Sequence, residues 1–256
     1  MVNKSLKDIC FIIQARLNST RVPRKMIKPF SDTTLMGLGI QKVLDSKIIP
    51  KDNFYCSVYE RELVELCEKY DVNVFHRSEK SANEEHTVSG MYEWSDKLPY
   101  KYVVLINACT PLLKTETIDK FVEAYINTES EGLFGVIGKK QYYWNKNGDL
   151  ITKWPEGTTI MNTKVVETTY EAAHCLYASR MDTIKDEIWM GDTPFTKGNP
   201  ELFEMEELEV FDIDYPWEFD VVYVLALTLN PTMQVWAKYN LSLRSHSQSP
   251  SFTMPE

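Results

Sequence analysis

The chain has 256 residues, 43% of them hydrophobic and 12% aromatic, and carries a formal net charge of -9. This is enough apolar material for one large α/β domain or two small ones, and it excludes a chain that is disordered throughout. The acidic balance argues against nucleic acid as a partner, because a phosphate backbone requires a basic face.

No apolar run approaches the length of a membrane span, and the first residues lack the apolar core of a signal peptide. The cysteines are odd in number, scattered and without the spacing of metal ligands. We therefore expect a cytoplasmic protein without a membrane contact, whose cysteines are reduced thiols in the core. They are Cys10, Cys56, Cys67, Cys109 and Cys175.

Strand and helix patterns alternate through the first half of the chain. Short β-rich runs predict strands at residues 8–15, 53–59, 72–75, 102–108 and 133–138. Amphipathic segments between them predict helices at residues 34–46, 60–69, 83–97 and 115–127. Because alternating strands and helices require crossover connections, we predict an α/β, Rossmann-like fold with a mostly parallel sheet and helices on both faces.

The alternation stops after Gly138. Residues 139–169 combine turn signals, such as Asn147-Gly148, with short β-rich runs and several aromatic side chains. This segment is too small for a core of its own, so we expect it to pack against a second subunit. Further strands are predicted at 173–178 and 208–213, and a helix at 216–229. Residues 1–243 then form one domain, and a disordered tail follows at 244–256.

A cluster of positive charge follows the first predicted strand. The stretch from Ile9 to Ser31 contains five cationic residues and neither Asp nor Glu. In a parallel sheet, ligands bind at the carboxyl ends of the strands, where this loop begins. Fixed cations at that edge are typical of a triphosphate site, although a solvated basic loop has the same composition. The cations are Arg16, Arg21, Arg24, Lys25 and Lys28.

A pair of carboxylates, Asp212 and Asp214, is the negatively charged counterpart of the basic loop. It lies in an acidic region without Lys or Arg between Lys197 and Lys238. Side chains at i and i+2 of a strand share a face, and two adjacent carboxylates repel each other unless a cation lies between them. The pair therefore indicates a Mg²⁺ site, with an exposed acidic strand end or a helix cap as the alternative.

Residues 12–27 (IIQARLNSTRVPRKMI) resemble the signature loop of the acylneuraminate cytidylyltransferases, which make CMP-activated sialic, pseudaminic or legionaminic acid. The Gln14 that precedes Ala15-Arg16 is closer to the spore-coat polysaccharide branch of that superfamily. Three further segments match the family in the same order along the chain. They are residues 75–78 (FHRS), 106–113 (INACTPLL) and 212–219 (DIDYPWEF).

The resemblance implies a role for each matching residue. Arg16 and Lys25 are expected to be catalytic: they bind the CTP phosphates and stabilise the departing pyrophosphate. Asp212 and Asp214 are expected to hold Mg²⁺, and Asp214 is also catalytic because the pair positions the sugar hydroxyl. Residues 139–169 correspond to the dimerisation arm of a homodimer. The remaining nucleotide contacts that the resemblance implies are Ala15, Asn18, Arg21, Arg77, Thr87 and Asn107.

We therefore predict a CTP-dependent nucleotidyltransferase with Mg²⁺ as its cofactor. It transfers CMP to an acidic sugar of the 2-keto-3-deoxy, nonulosonic type, releases pyrophosphate and serves surface polysaccharide synthesis. Two departures from the family pattern concern the loop and the sugar pocket: Leu17-Asn18 replaces the usual glycines, and Cys109-Thr110 replaces a polar pair. The alternatives are a nucleotidyltransferase with a different small acceptor, a GT-A glycosyltransferase, and a binding protein without activity.

Overall fold

The computed structural model describes residues 4–190 and 200–229. Its strands are β1 (Ile9–Gln14), β2 (Pro29–Phe30), β3 (Thr33–Thr34), β4 (Phe54–Val58), β5 (Asn73–His76), β6 (Tyr102–Ile106), β7 (Leu133–Lys139), β8 (Thr169–Arg180) and β9 (Glu201–Glu204). Its α-helices are α1 (Leu35–Leu44), α2 (Arg61–Lys69), α3 (Glu79–Ala82), α4 (Val88–Met91), α5 (Thr115–Asn127) and α6 (Pro216–Leu229). The five predicted strands of the first half are confirmed, as are the predicted helices at 34–46, 60–69, 115–127 and 216–229.

Seven strands form one sheet in the order β5-β4-β1-β6-β8-β7-β9, and β2 pairs with β3 in a separate hairpin. Six strands of the sheet run in one direction, and β8 runs antiparallel to β6 and β7. The predicted Rossmann-like, mostly parallel sheet is therefore confirmed. Strand β1 lies in the interior of the sheet, between β4 and β6. Five of its six residues are fully buried, as expected for a strand that is covered on both faces.

The side chains of β1 alternate between two hydrophobic clusters, one on each face of the sheet. Ile9, Phe11 and Ile13 belong to the larger cluster, which includes buried residues of α1, α2 and α5. Cys10 and Ile12 belong to the second cluster, on the face covered by the segment around α4. All five cysteines are buried and free, as the composition predicts. Helices thus cover both faces, and the carboxyl ends of β1, β4 and β6 lie at one edge.

The prediction of one continuous helix at 83–97 is wrong. This segment contains the short helix α4 and, after a break at Tyr92, a 3₁₀ turn at Glu93–Asp96. Tyr92 and Trp94 are both buried and stack on each other with ring centroids 5.1 Å apart. Residues at i and i+2 lie on different faces of an α-helix, so one continuous helix cannot bury both against the sheet.

The strand predicted at 208–213 is also wrong. Glu207–Val210 is a 3₁₀ turn, and the strand that pairs with β7 on the side away from β8 is β9, earlier in the chain than the predicted strand. Residues 211–214 belong to no strand; the Ile213 N–H donates to the Cys109 carbonyl, 3.1 Å away, just after β6. Asp212 and Asp214 therefore lie on a loop anchored to β6 rather than on a sheet strand.

The segment at 139–169 contains one isolated antiparallel bridge, between Trp144 and Leu150, around a turn at Gly148 with φ +88°. The predicted turn at Asn147-Gly148 is therefore present, whereas the rest of the segment has less β structure than its β-rich runs predict. Several of its apolar side chains are exposed: Tyr143, Trp144, Ile151, Ile160, Met161 and Val165. Its role as a dimerisation arm stays a prediction, and the predicted tail at 244–256 lies outside the described residues. Within the described ranges, no helix has the length and apolarity needed to cross a bilayer.

Candidate active site

A cavity of about 280 Å³ opens at the carboxyl edge of the sheet. Its walls come from the loop after β1, the segment from Arg77 to Met91, the residues after β6 and the loop before α6. Three of the ten predicted site residues, Asn18, Thr87 and Asp212, lie outside its lining. The seven that line it are Ala15, Arg16, Arg21, Lys25, Arg77, Asn107 and Asp214.

Lys25 and Arg21 both contact Asp214. The Lys25 side chain is 12% exposed, and its Nζ lies 2.6 Å from the Ile213 carbonyl and 3.5 Å from Asp214 Oδ1. Arg21 Nη2 lies 2.8 Å from the same Oδ1, and its guanidinium lies over the Tyr215 ring. Burial lowers the pKa of Lys25, but its polar neighbours, the Asp212 and Asp214 carboxylates among them, raise it to a net value above the ordinary one. Lys25 is therefore charged at neutral pH.

Asp212 is the most unusual carboxylate of the site. Its Oδ1 is buried and, among the described residues, has no hydrogen-bond partner. Burial, reinforced by the Asp214 and Glu218 charges and opposed by Lys25, raises its pKa to about 6. A buried oxygen without a partner costs stability unless a ligand satisfies it.

Asp212 and Asp214 fit a divalent cation of the kind that proteins hold with few side chains. No group of three or more His, Cys, Asp or Glu side chains in the described ranges is arranged to hold a metal by itself. Mg²⁺, however, is usually bound by one or two carboxylates together with substrate phosphates and water. The unpartnered Asp212 oxygen beside Asp214 matches that donor set.

The loop that carries both carboxylates is held at two points. Between the two carboxylates, the Ile213 N–H donates to the Cys109 carbonyl. Downstream, Glu218 Oε2 accepts the Asp214 and Tyr215 N–H groups at 2.6 and 2.8 Å. Glu218 lies in the first turn of α6, where an acidic side chain also suits the helix dipole. This anchoring explains how a loop outside the sheet can place carboxylates reproducibly.

Glu60 holds the start of the basic loop and was missed by the sequence analysis. Its Oε1 accepts the Leu17 N–H at 2.6 Å, and the neighbouring Ala15 N–H donates to the Ser57 carbonyl. The position where the family usually has glycine is thus fixed by a carboxylate that follows β4. No local sequence signal marks Glu60, because its partner is 43 residues away.

The segment from Arg77 to Met91 forms the opposite wall. Arg77 is buried, its Nε binds Ser81 Oγ at 3.2 Å, and its Nη2 binds the Met91 carbonyl at 3.3 Å. Burial, and next the Arg16 charge, lower its pKa to about 10. Arg77 therefore organises this wall as well as lining the cavity. Thr87 is exposed at the start of α4, beyond the lining.

Arg16 and Asn18 tie the basic loop to that wall. Arg16 Nη2 forms an ion pair with Glu85 Oε1 at 2.8 Å, and its Nη1 donates to the Ala82 carbonyl at 3.2 Å. The Asn18 amide donates to the side chain of Asn83. A phosphate group that binds Arg16 must therefore compete with Glu85.

We expect the Glu85→Gln variant to bind CTP more tightly than the wild type. The Arg16–Glu85 pair is solvent-exposed, and pairs of this kind contribute little, so the gain is limited to about fivefold. Isothermal titration with CTP measures it, and Glu79→Gln, an exposed carboxylate of α3, is the control. Weaker binding of CTP by Glu85→Gln, or the same gain in Glu79→Gln, would contradict competition between Glu85 and the nucleotide for Arg16.

Asn107 shapes the floor of the cavity just after β6. Its Oδ1 accepts the Cys109 N–H at 2.8 Å, and its Nδ2 donates to the His174 carbonyl at 2.9 Å. His174 has φ 52° within an irregular part of β8, where the register with β7 shifts. Asn107 therefore joins β6 to the bulge in β8 and fixes the backbone on which Cys109 anchors the carboxylate loop.

A family model described as "Cytidylyltransferase" matches residues 10–221, which include every residue of this site. The chain therefore belongs to the cytidylyltransferase family. The individual proteins that it matches are distant in sequence, with identities of 25% and 26% for the two described below.

Two relatives are named, one for a cytidylyltransferase activity and the other for polysaccharide biosynthesis. The chain is 26% identical over 157 residues to pseudaminic acid cytidylyltransferase of Campylobacter jejuni, covering 57% of this chain and 66% of the relative. It is 25% identical over 132 residues to the spore coat polysaccharide biosynthesis protein SpsF of Bacillus subtilis, covering 49% and 53%. The matches thus span half to two thirds of the relatives' length.

The fold is similar to that of CMP:2-keto-3-deoxy-manno-octonic acid synthetase, which was solved in complex with CTP. The TM-score is 0.63 at 10% identity, and the alignment covers 87% of this chain and 99% of that structure. At this identity the comparison supports the fold. Together with the family model, it agrees with the resemblance that the sequence motifs predicted.

Proposed function

We propose that this chain transfers CMP from CTP to an acidic sugar of the 2-keto-3-deoxy, nonulosonic type and releases pyrophosphate. The observation that carries the proposal is the meeting of Lys25 and Arg21 with Asp214 at one end of a single cavity, two residues after Asp212, whose buried oxygen has no partner among the described residues. Cations for a triphosphate and carboxylates for a metal are the two elements that nucleotidyl transfer requires. The pseudaminic acid relative supports an acidic acceptor.

The chain's own residues supply binding and charge stabilisation. Lys25 and Arg21 face the phosphates at the end of the cavity near Asp214, and Arg16 faces them from the wall near α3. Because these cations are fixed before the reaction, they stabilise the charge that develops on the departing pyrophosphate without reorganising. Anchoring by Glu60 and Glu218 keeps the loop and the carboxylates at a constant separation.

Asp212 and Asp214 are the residues proposed to hold Mg²⁺. When bound there, Mg²⁺ would neutralise phosphate charge and lower the pKa of the attacking hydroxyl. The chain contributes the buried Asp212 oxygen, which has no hydrogen-bond partner among the described residues. Because burial disfavours the uncompensated negative charge of this carboxylate, a cation is favoured at this position and an anion is not.

The direct test is pyrophosphate release in the presence of CTP, Mg²⁺ and a panel of acidic sugars. We expect release with at least one sugar, loss of release with EDTA and recovery with excess Mg²⁺. Replacing CTP by UTP, ATP or GTP is expected to lower the rate strongly. CTP binding without release for every acceptor would favour a binding protein, and metal-independent release would refute the proposed metal site.

We further propose that the protein acts as a cytoplasmic homodimer in surface polysaccharide synthesis. The exposed apolar side chains at 139–169 support a partner surface, and the similarity to SpsF supports the pathway class. Light scattering checks the first point: we expect a dimer for the wild type, and a monomer when Trp144 and Ile151 are both changed to Ser.

A further inference from the structure

The carboxylate loop is anchored to a segment, residues 109–114, that belongs to no helix or strand. The Cys109 carbonyl accepts the Ile213 N–H at 3.1 Å. The buried Thr110 donates its hydroxyl to the Asn107 carbonyl at 3.0 Å. Because no ladder of backbone hydrogen bonds holds this segment, its position depends on side chains from neighbouring elements.

Lys42, in the last turn of α1, binds the segment from the helix side. Its Nζ donates to the Pro111 carbonyl at 2.6 Å and to the Thr110 carbonyl at 3.3 Å. The Thr115 hydroxyl donates to the Lys42 carbonyl at 3.2 Å, so α1 is joined to this region twice. Burial lowers the pKa of Lys42 to about 7, and the Glu209 charge opposes that shift. An ammonium group and a neutral amine both have enough N–H groups for the two carbonyls, so the contact persists in either protonation state.

Glu209 binds the other end of the same segment. It is buried in the 3₁₀ turn Glu207–Val210, which leads directly into the carboxylate loop. Its Oε1 lies 2.7 Å from Lys114 Nζ, and its Oε2 accepts the Lys114 N–H at 3.2 Å. Burial raises the pKa of Glu209, but hydrogen bonds from Lys114 and Thr117 bring it below the ordinary value. Glu209 is therefore ionised at neutral pH, at the start of α5, where the helix dipole favours negative charge.

These two charges lie away from the nucleotide cavity. Neither Lys42 nor Glu209 lines it. Glu209 is 3% exposed, and burial disfavours the charged form of Lys42. Apolar side chains of similar size would avoid this desolvation cost, so packing alone does not explain the two residues. What the polar groups add is a set of directed hydrogen bonds to one backbone segment, and such bonds fix a unique geometry.

We propose that Lys42 and Glu209 are positioning residues of the metal site. By holding the segment between β6 and α5 at both of its ends, they fix the backbone that carries Asp212 and Asp214. Their effect reaches the carboxylates through the Cys109 carbonyl and through the turn that precedes the loop. The inference rests on the proposed function, since it requires that the two carboxylates hold a divalent cation.

The test is binding of Mn²⁺, followed by electron paramagnetic resonance, to the full chain saturated with a non-hydrolysable CTP analogue. Mn²⁺ serves as the probe because it prefers the same oxygen ligands as Mg²⁺. Residues that support metal ligands change metal affinity by about ten- to a hundredfold, and we expect losses of this size in Lys42→Met and in Glu209→Gln. Lys42→Arg keeps donors for the two carbonyls and should lose less than Lys42→Met.

Affinity for the CTP analogue in EDTA is the readout that separates positioning from general loss of structure. Both variants should match the wild type there, because neither residue lines the cavity. Two exposed neighbours supply matched controls that should bind Mn²⁺ like the wild type. Lys47→Met removes a cation just beyond the end of α1, and Glu206→Gln removes a carboxylate beside the 3₁₀ turn.

Three results would overturn the inference: wild-type Mn²⁺ affinity in Lys42→Met and Glu209→Gln, equal losses in the controls, or a parallel loss of analogue affinity in EDTA. Absence of Mn²⁺ binding by the wild type would refute the metal site and the inference together. If the wild type binds Mn²⁺, the variants show the expected losses and no acceptor gives pyrophosphate release, the proposed transfer is refuted and the positioning role is supported.

Discussion

Changing Asp212 to Asn is expected to abolish turnover and, at neutral pH, to raise the unfolding temperature. Within residues 4–190 and 200–229 the buried wild-type Asp212 Oδ1 has no hydrogen-bond partner, and the pKa of Asp212 is raised to about 6, chiefly by burial. Asparagine keeps the size of the side chain and removes the charge that burial disfavours. A residue retained at a cost in stability is typical of a functional site.

The pH dependence of this effect follows from the direction of the shift. A pKa above the ordinary 3.8 means that the folded state binds the Asp212 proton more tightly than the unfolded state. The ionised carboxylate therefore costs nothing below about pH 4, and its cost grows to on the order of 3 kcal/mol as the pH rises to about 6. The variant should gain stability above that pH and match the wild type near pH 4.

Two measurements check this prediction. Pyrophosphate release should fall by roughly a thousandfold or more, because the metal ligand is lost. Thermal unfolding of Asp212→Asn should be compared with that of the wild type at pH 4 and 7.5. Asp220→Asn, which changes an exposed residue of α6, should alter neither quantity. Retention of a tenth of the activity, or a lower unfolding temperature at pH 7.5, would contradict the assignment of Asp212.

The Lys25→Met variant should lose roughly a hundred- to a thousandfold in kcat/KM for CTP. Lys25 is largely buried, and its ammonium group lies against Asp214 and the Ile213 carbonyl at the end of the cavity. Methionine keeps most of the aliphatic length, so the loss reflects the charge rather than the packing. The Lys28→Met control removes an exposed charge from the same loop and should change kcat/KM by less than about twofold.

A second readout distinguishes electrostatics from misfolding in this variant. Because Lys25 lowers the pKa of Asp212, its removal should move that pKa to a value above 6. A ¹³C NMR titration of the Asp212 carboxyl group measures the change. An unmoved Asp212 titration, or equal losses in Lys25→Met and Lys28→Met, would show that Lys25 is not part of this site.

Local patterns predicted the sheet because its strands are short, apolar and separated by amphipathic helices. The motifs around Arg16 and around Asp212 were also visible without coordinates, since each is a continuous run of residues. Two elements were wrong for the same reason. Tyr92 and Trp94 are both buried, and β9 pairs with β7, because of contacts with residues that are distant in the chain.

The sequence by itself determined the α/β architecture, the family and the presence of a basic loop and an acidic pair. Only the tertiary structure decided how those halves meet. It places Lys25 and Arg21 on Asp214 across nearly two hundred residues, and among the described residues it leaves one Asp212 oxygen without a partner. The physical reason is that charge neutralisation and burial depend on distances in space, which local periodicity does not encode.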